Sequence, residues 1–336
     1  MSTKTPSTPD EDQDVAPDHY YQPDLAKPTK LSYWKTVWLD FACIGFVAAC
    51  ILPVLYMPIF FPEQRLIPMQ PPVLPFRLSP LALSDFGLPP ELSFPRKPEL
   101  LPTWACAFVV ILGPIAVISL FQIKLRSMWD FHAGTIGILK AVVATTFVQV
   151  LLKQFMGGAR PYFVEVCRPD LKILKNAVDQ RMLFFDITAC TGNRGDLNIA
   201  LQSFPSGHTA NSFAVALFIA LYLNAKLKPF ADYGADFWSY IVTILPLLCA
   251  SLISGSMLIS HQHHAYDIVF GMVLGVILGT LAFRSSYAAV LDFRYNHIPL
   301  PSVSLHTQFP YEMAYMNPKA RKLSVWDWWD HGKQLE

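Results

Sequence analysis

The chain has 336 residues, 53% hydrophobic and only 15% charged, whereas soluble domains carry roughly 25% charged residues; with a mean hydropathy of +0.33, this argues against an ordinary soluble enzyme. Twenty-six Lys and Arg against 25 Asp and Glu leave a net charge of +1, so no basic field is available to draw nucleic acid to the surface. The 28 prolines must gather in tails and loops, because an interior proline breaks or kinks a helix.

Residues 1–32 hold an acidic run, several prolines and almost no aliphatic side chains. They read as a disordered cytosolic tail, unable to bury enough apolar surface to offset the entropy of ordering. The tail lacks the apolar core of a signal peptide, so the first apolar run is expected to stay in the mature protein. Six runs then approach the roughly 20 apolar residues that cross a hydrocarbon core about 30 Å thick. They centre on 37–57, 103–123, 133–152, 209–225, 238–258 and 266–283. Stretches such as WACAFVVILGPIAVISLF show no polar face at helical spacing, as a soluble core helix would, and so read as membrane spans. Lys140, inside the third run, must face the bundle or snorkel to the interface. The expected architecture is all-α: a six-helix membrane bundle over 33–286, followed by a cytosolic tail at 287–336. Near its end, VWDWWD with Trp326, Trp328 and Trp329 suits either a membrane interface or a partner protein.

With six spans, the long segments 58–102 and 153–207 and the short connection 259–265 share one side of the membrane, and both termini share the other. The short connections 124–130 and 226–237 each carry two basic residues and 259–265 carries none, which places the termini in the cytosol. Cys43, Cys50, Cys106 and Cys249 fall in apolar runs, where a thiol acts as a small hydrophobe. Cys167 and Cys190 lie 23 positions apart in one exposed segment. A disulfide between them and two free thiols are both open, depending on the compartment.

Three polar clusters sit at span ends on that same side. In KQFMGGARP, Lys153 alone reads as an interfacial anchor. Arg160, beside Gly157 and Gly158, offers a planar fork for phosphate oxygens where backbone can approach a ligand closely. In FPSGHTA, Ser206 reads as a helix N-cap. The same geometry frees amides that bind an anion, with His208 placed to donate a proton. In SHQHHAYD, His263 and Asp267 are four apart and share a helix face, so the carboxylate can hold one imidazole nitrogen and present the other as a nucleophile. An interfacial cap competes with this reading. So does a zinc site from His261, His263 and His264 with a carboxylate, which the adjacency of two of these histidines disfavours.

In this order and at these span ends, the clusters resemble the type 2 phosphatidic acid phosphatase (PAP2, lipid phosphate phosphatase) superfamily, whose signature is K-x6-RP, PSGH and SR-x5-H-x3-D. The first two stand complete. RPYFVEVCRPD, ACTGN and SFPSGHTANSFA resemble its eukaryotic lipid phosphatase branch, and the likeness covers residues 37–285. The resemblance implies a six-helix bundle of the PAP2/haloperoxidase type with a site facing the lumen or cell exterior. It also implies a lipid phosphate substrate such as phosphatidate, lysophosphatidate or diacylglycerol pyrophosphate, and no metal or other cofactor. Lys153 and Arg160 would hold the phosphate, and Ser206 with the Gly207 amide would stabilise its oxygens. His263 would attack phosphorus, oriented by Asp267, and His208 would protonate the leaving alkoxide.

One position departs from the pattern. Where the third motif would begin Ser-Arg, the chain reads Ser256-Met257. Losing a preorganised donor to transition-state charge commonly costs about 2.7–4 kcal/mol, unless His261, His264, Gln262, Arg168 or Arg194 substitutes. That departure keeps two alternatives in view: a catalytically weakened lipid-phosphate-binding protein, and a lipid phosphotransferase.

Overall fold

The computed structural model describes residues 30–57, 65–69, 88–180, 182 and 184–300. All but the last residues of the expected disordered tail, and the VWDWWD segment, lie outside them. In chain order the helices are α1 (Lys30–Tyr56), α2 (Thr103–Leu125), α3 (Met128–Phe155), α4 (Phe163–Cys167), α5 (Leu171–Asp179), α6 (Arg194–Ala200), α7 (Gly207–Leu227), α8 (Phe237–Ile259) and α9 (Ala265–Ser286). The six long ones, α1 to α3 and α7 to α9, are long and apolar enough to cross a membrane, and they coincide with the six expected runs. The third begins five residues earlier than its apolar run, because the Ser127 side chain caps it by accepting from the Asp130 amide. Lys140 is accommodated by Asp40 of α1, 3.4 Å away, so the charge inside the third run faces the bundle.

The hub is α7, with 72% of its span buried against 11% for that of α1. It meets α9 along Gly271, Gly275 and Gly279, where an added Cβ would lie 2.7, 2.4 and 2.3 Å from the carbonyl oxygens of Ser206, Ala210 and Ala214. Small residues four apart let two helix backbones touch where lipid offers no hydrophobic drive for association. This contact sets the register of the two helix starts that carry His208 and Asp267. Gly275→Val is expected to force the pair apart at a cost of about 1–3 kcal/mol, typical of overpacking. A lowered midpoint of thermal unfolding in detergent would register it, and an unchanged midpoint would refute close packing here.

A cap lies over the bundle end that α3 leaves and α7 and α9 enter. Phe163, Val164, Leu174, Phe185, Leu197 and Leu201 form its core, each such side chain contributing about 1.5–3 kcal/mol when fully buried. Strand β1 (Ile67–Pro68) pairs antiparallel with β2 (Phe184–Phe185). Cys167 and Cys190 are joined in a disulfide with 4.6 Å between their Cα atoms, and the Cys167 carbonyl accepts from the amides of Thr191 and Gly192.

At the opposite end, residues 287–300 fold back onto the bundle rather than leaving it as a tail. The Ala288 amide donates to Ile298, the Leu300 amide donates to Ser286, and Tyr287 and Asn296 are fully buried. Below them Asp130 accepts from Gln122 at 2.8 Å, Tyr222 at 2.9 Å and Lys226 at 2.6 Å.

Candidate active site

Lys153 sits in the last turn of α3 and its ammonium donates to the Gln202 carbonyl at 2.9 Å. The chain then turns sharply at Gly157 and Gly158, whose φ angles are +54° and +127°. A side chain at Gly157 would also lie 2.6 Å from the Leu201 carbonyl oxygen, so glycine is required there on both counts. Beyond the turn the Gly158 and Arg160 amides donate to Leu201 and Ala200, and the Ser203 amide donates back to Gly158. These bonds lay the first polar cluster alongside the residues just before the second. Arg160 reaches across to the third, donating to Gln262 Oε1 at 2.9 Å, while its Nε has no hydrogen-bond partner among the described residues.

Ser206 is the residue before the first turn of α7 and is fully buried. Its hydroxyl accepts from Thr209 at 3.1 Å, and its amide donates to the Asp267 carbonyl at 3.2 Å, which locks the start of α7 to the start of α9. The Gly207 amide begins the helix, where first-turn amides lack intrahelical partners. Asp267 closes a capping box with His264, the residue preceding α9. Its Oδ2 accepts from the Ser203 hydroxyl at 2.6 Å and the His264 amide at 2.9 Å, and lies 3.6 Å from His263 Nδ1. That last separation is longer than a hydrogen bond, and both His263 Nδ1 and Asp267 Oδ1 lack a hydrogen-bond partner among the described residues. Burial, reinforced by Arg160 and Lys153 and opposed by Asp267, pushes the His263 imidazole down to about 3. The ring is therefore neutral at physiological pH, with Nδ1 on the side of the Asp267 carboxylate.

Lys153, Arg160, Gly207, His208 and His263 line one cavity of about 790 Å³. Ser206 and Asp267 stand behind this lining. Val110, Ile111, Val142 and Val150 form an apolar wall on α2 and α3. The cavity thus joins a cationic pocket to an apolar slot between membrane helices, the combination that an amphiphile with an anionic head needs.

The PAP2 superfamily model matches residues 134–290. "Lipid phosphate phosphatase 2" of Arabidopsis thaliana is 31% identical over 202 residues, which cover 60% of this chain and 67% of that protein. The chain belongs to the PAP2 superfamily. "Lipid phosphate phosphatase 1" of the same plant is 32% identical over 197 residues, or 59% of this chain and 58% of the relative. "Diacylglycerol pyrophosphate phosphatase 1" of Saccharomyces cerevisiae is 27% identical over 197 residues, or 58% of this chain and 64% of the relative. In the last two pairs the match spans less than two thirds of the relative's length. No solved structure matches the chain.

Within the PAP2 frame, Met257 is fully buried and does not line the cavity. Neither do the residues considered as its cationic substitutes. The His261 ring stacks on Phe94 at a centroid distance of 4.4 Å, and His264 stacks on Tyr266 at 4.9 Å. Arg168 lines a separate hollow with Glu165, and Arg194 begins α6 on the cap. Gln262 does line the cavity, together with Arg96, Lys97 and Glu99, which the motif reading passed over. The cluster PRKPE is a concentration of charge in an otherwise proline-rich and apolar segment, a signal that was present without a partner to give it meaning. The structure supplies the partners: Gln262 Nε2 donates to the Lys97 carbonyl at 2.7 Å, and the Phe94 amide donates to Pro161.

Proposed function

We propose that the chain is a membrane lipid phosphate phosphatase that removes the terminal phosphate of lipids such as phosphatidate, lysophosphatidate or diacylglycerol pyrophosphate. The observation carrying this reading is the convergence of Lys153, Arg160, His208 and His263 on one cavity with an apolar wall. Lys153 and Arg160 hold the phosphate, with the Gly207 amide at the start of α7. Ser206 supports that amide's position from behind, since its own amide is engaged by Asp267. His263 Nε2 attacks phosphorus as the bond to the lipid oxygen breaks, and His208 protonates the departing oxygen. Water then attacks the phosphohistidine and the P–N bond breaks. His208 takes the water's proton, and inorganic phosphate leaves. Asp267 faces the charge that develops on His263.

The cap and cavity lie on the luminal or extracellular side in this reading, with the termini cytosolic. The Cys167–Cys190 disulfide in the cap supports an oxidising compartment, in agreement with the short basic connections at the opposite end. Met257 favours a second reading, a relative that binds lipid phosphates with little turnover. Purified protein in mixed micelles, offered the three lipids above and assayed for inorganic phosphate, separates the two. Sustained release supports the phosphatase, whereas tight lipid binding with no release would overturn it in favour of the binder.

A further inference from the structure

Glu99 belongs to none of the three family motifs, yet its Oε2 lies 4.0 Å from His208 Nε2, with the two side chains 29% and 11% exposed. That nitrogen has no hydrogen-bond partner among the described residues, and both side chains line the cavity. The placement is held by several independent contacts along the segment. The Arg96 amide donates to Glu165 at 2.6 Å, and its guanidinium pairs with Asp196 at 3.2 Å. Lys97 is tied by its carbonyl to Gln262, and Thr103 at the start of α2 donates to Glu99 Oε2 at 3.4 Å. Lys153 of α3 and Arg160 of the glycine turn face the same imidazole with positive charge. Among the side chains that line the cavity, Glu99 is the carboxylate beside His208, set against Lys153 and Arg160 on the same lining.

Resting on the phosphatase reading above, we propose that Glu99 is a positioning residue that pairs with His208 in its protonated form, so that the imidazolium is loaded and aimed at the leaving oxygen. The proton passes from His208 Nε2 to the oxygen of the breaking P–O bond, and His208 is left neutral. When water attacks the phosphohistidine, its proton returns to His208 and the pair with Glu99 re-forms. Glu99 itself forms and breaks no covalent bond. It also accounts for a carboxylate in a pocket built for an anion, which would otherwise only repel the substrate.

The test uses the leaving group. An aliphatic alcohol leaves poorly without a proton, whereas p-nitrophenolate is stable enough to leave unassisted, and general-acid assistance is worth about 10²–10⁴-fold where it is needed. Glu99→Gln, which keeps the shape and removes the charge, is expected to lower kcat on phosphatidate at least tenfold and leave kcat on p-nitrophenyl phosphate within about twofold. His208→Ala is expected to slow both substrates, because the base that takes the proton of the attacking water is lost with it, and adding Glu99→Gln to that variant should bring no further loss on phosphatidate. Glu99→Asp should recover part of the phosphatidate rate and guards against a fold defect in the Gln variant. Equal losses on both substrates in Glu99→Gln, or no loss on either, would overturn the proposal. Loss of both activities on His263→Ala tests the underlying phosphatase reading separately, and a wild-type protein inactive on both substrates would sink that reading and this proposal together.

Discussion

His263→Ala is expected to reduce phosphate release from phosphatidate by at least about a thousandfold, and to abolish acid-labile, alkali-stable labelling of the protein by substrate carrying ³²P. Removing the nucleophile of a unit whose members act together commonly costs several orders of magnitude, and here no neighbouring group can take over. The other cavity-lining imidazole, His208, faces Glu99, while His261 and His264 are stacked on Phe94 and Tyr266. His263 is only 3% exposed, and burial pushes it down to about 3. Its nitrogen therefore stays unprotonated throughout the range from pH 5 to 8, and an acid limb of the rate profile in that range must come from another group. Retained labelling in the His263→Ala protein would move the nucleophile elsewhere and end the mechanism above. Asp267→Asn gives a graded companion result: it keeps the Ser203 contact in place as an acceptor while removing the charge opposite the reacting ring. A smaller loss than that of His263→Ala is expected.

How far this was legible in the sequence depends on the range of the interaction. The six spans follow from composition, because a helix in lipid must be apolar on nearly every face, and the runs from 37 to 283 announce it locally. The motif residues were legible because each cluster is short and sits at a span end. What their spacing could not convey is the support behind them. Ser203 holds Asp267 across 64 positions, and Gln262 joins Arg160 to the Lys97 carbonyl across separations of 102 and 165. Proximity alone made His261 and His264 attractive substitutes for the absent arginine, since both lie close to His263 in the chain. The backbone turns them away: His261 adopts a left-handed φ of +55°, and His264 is spent on capping α9. Glu99 and Lys97 were hidden for the opposite reason, being remote in sequence from every motif they approach in space.

The same long-range logic governs the largest expected effect on stability, at the bundle end away from the site. Asp130→Ala should destabilise the protein by about 3–5 kcal/mol, the usual consequence of stripping one partner from a buried ion pair. The Asp130 and Lys226 side chains are 4% and 9% exposed and 2.6 Å apart. Gln122 and Tyr222 also donate to this carboxylate, and Tyr287 lies 3.3 Å from it. One side chain therefore joins α2, α3, α7 and the segment after α9, and its removal leaves an ammonium and several donors buried together. The decisive comparison is with Asp130→Ala/Lys226→Met, in which the stranded charge is also removed and its stem volume kept. If the cost is that of an uncompensated charge, the double variant unfolds in detergent at a higher temperature than Asp130→Ala alone. If the carboxylate matters only through packing, the two losses add and the double variant is worse. Because this network lies at the far end of α3 and α7 from Lys153 and His208, protein that remains folded at low temperature should keep its phosphate release in both variants. A loss of activity without unfolding would instead mean that the two ends of the bundle are coupled through those helices.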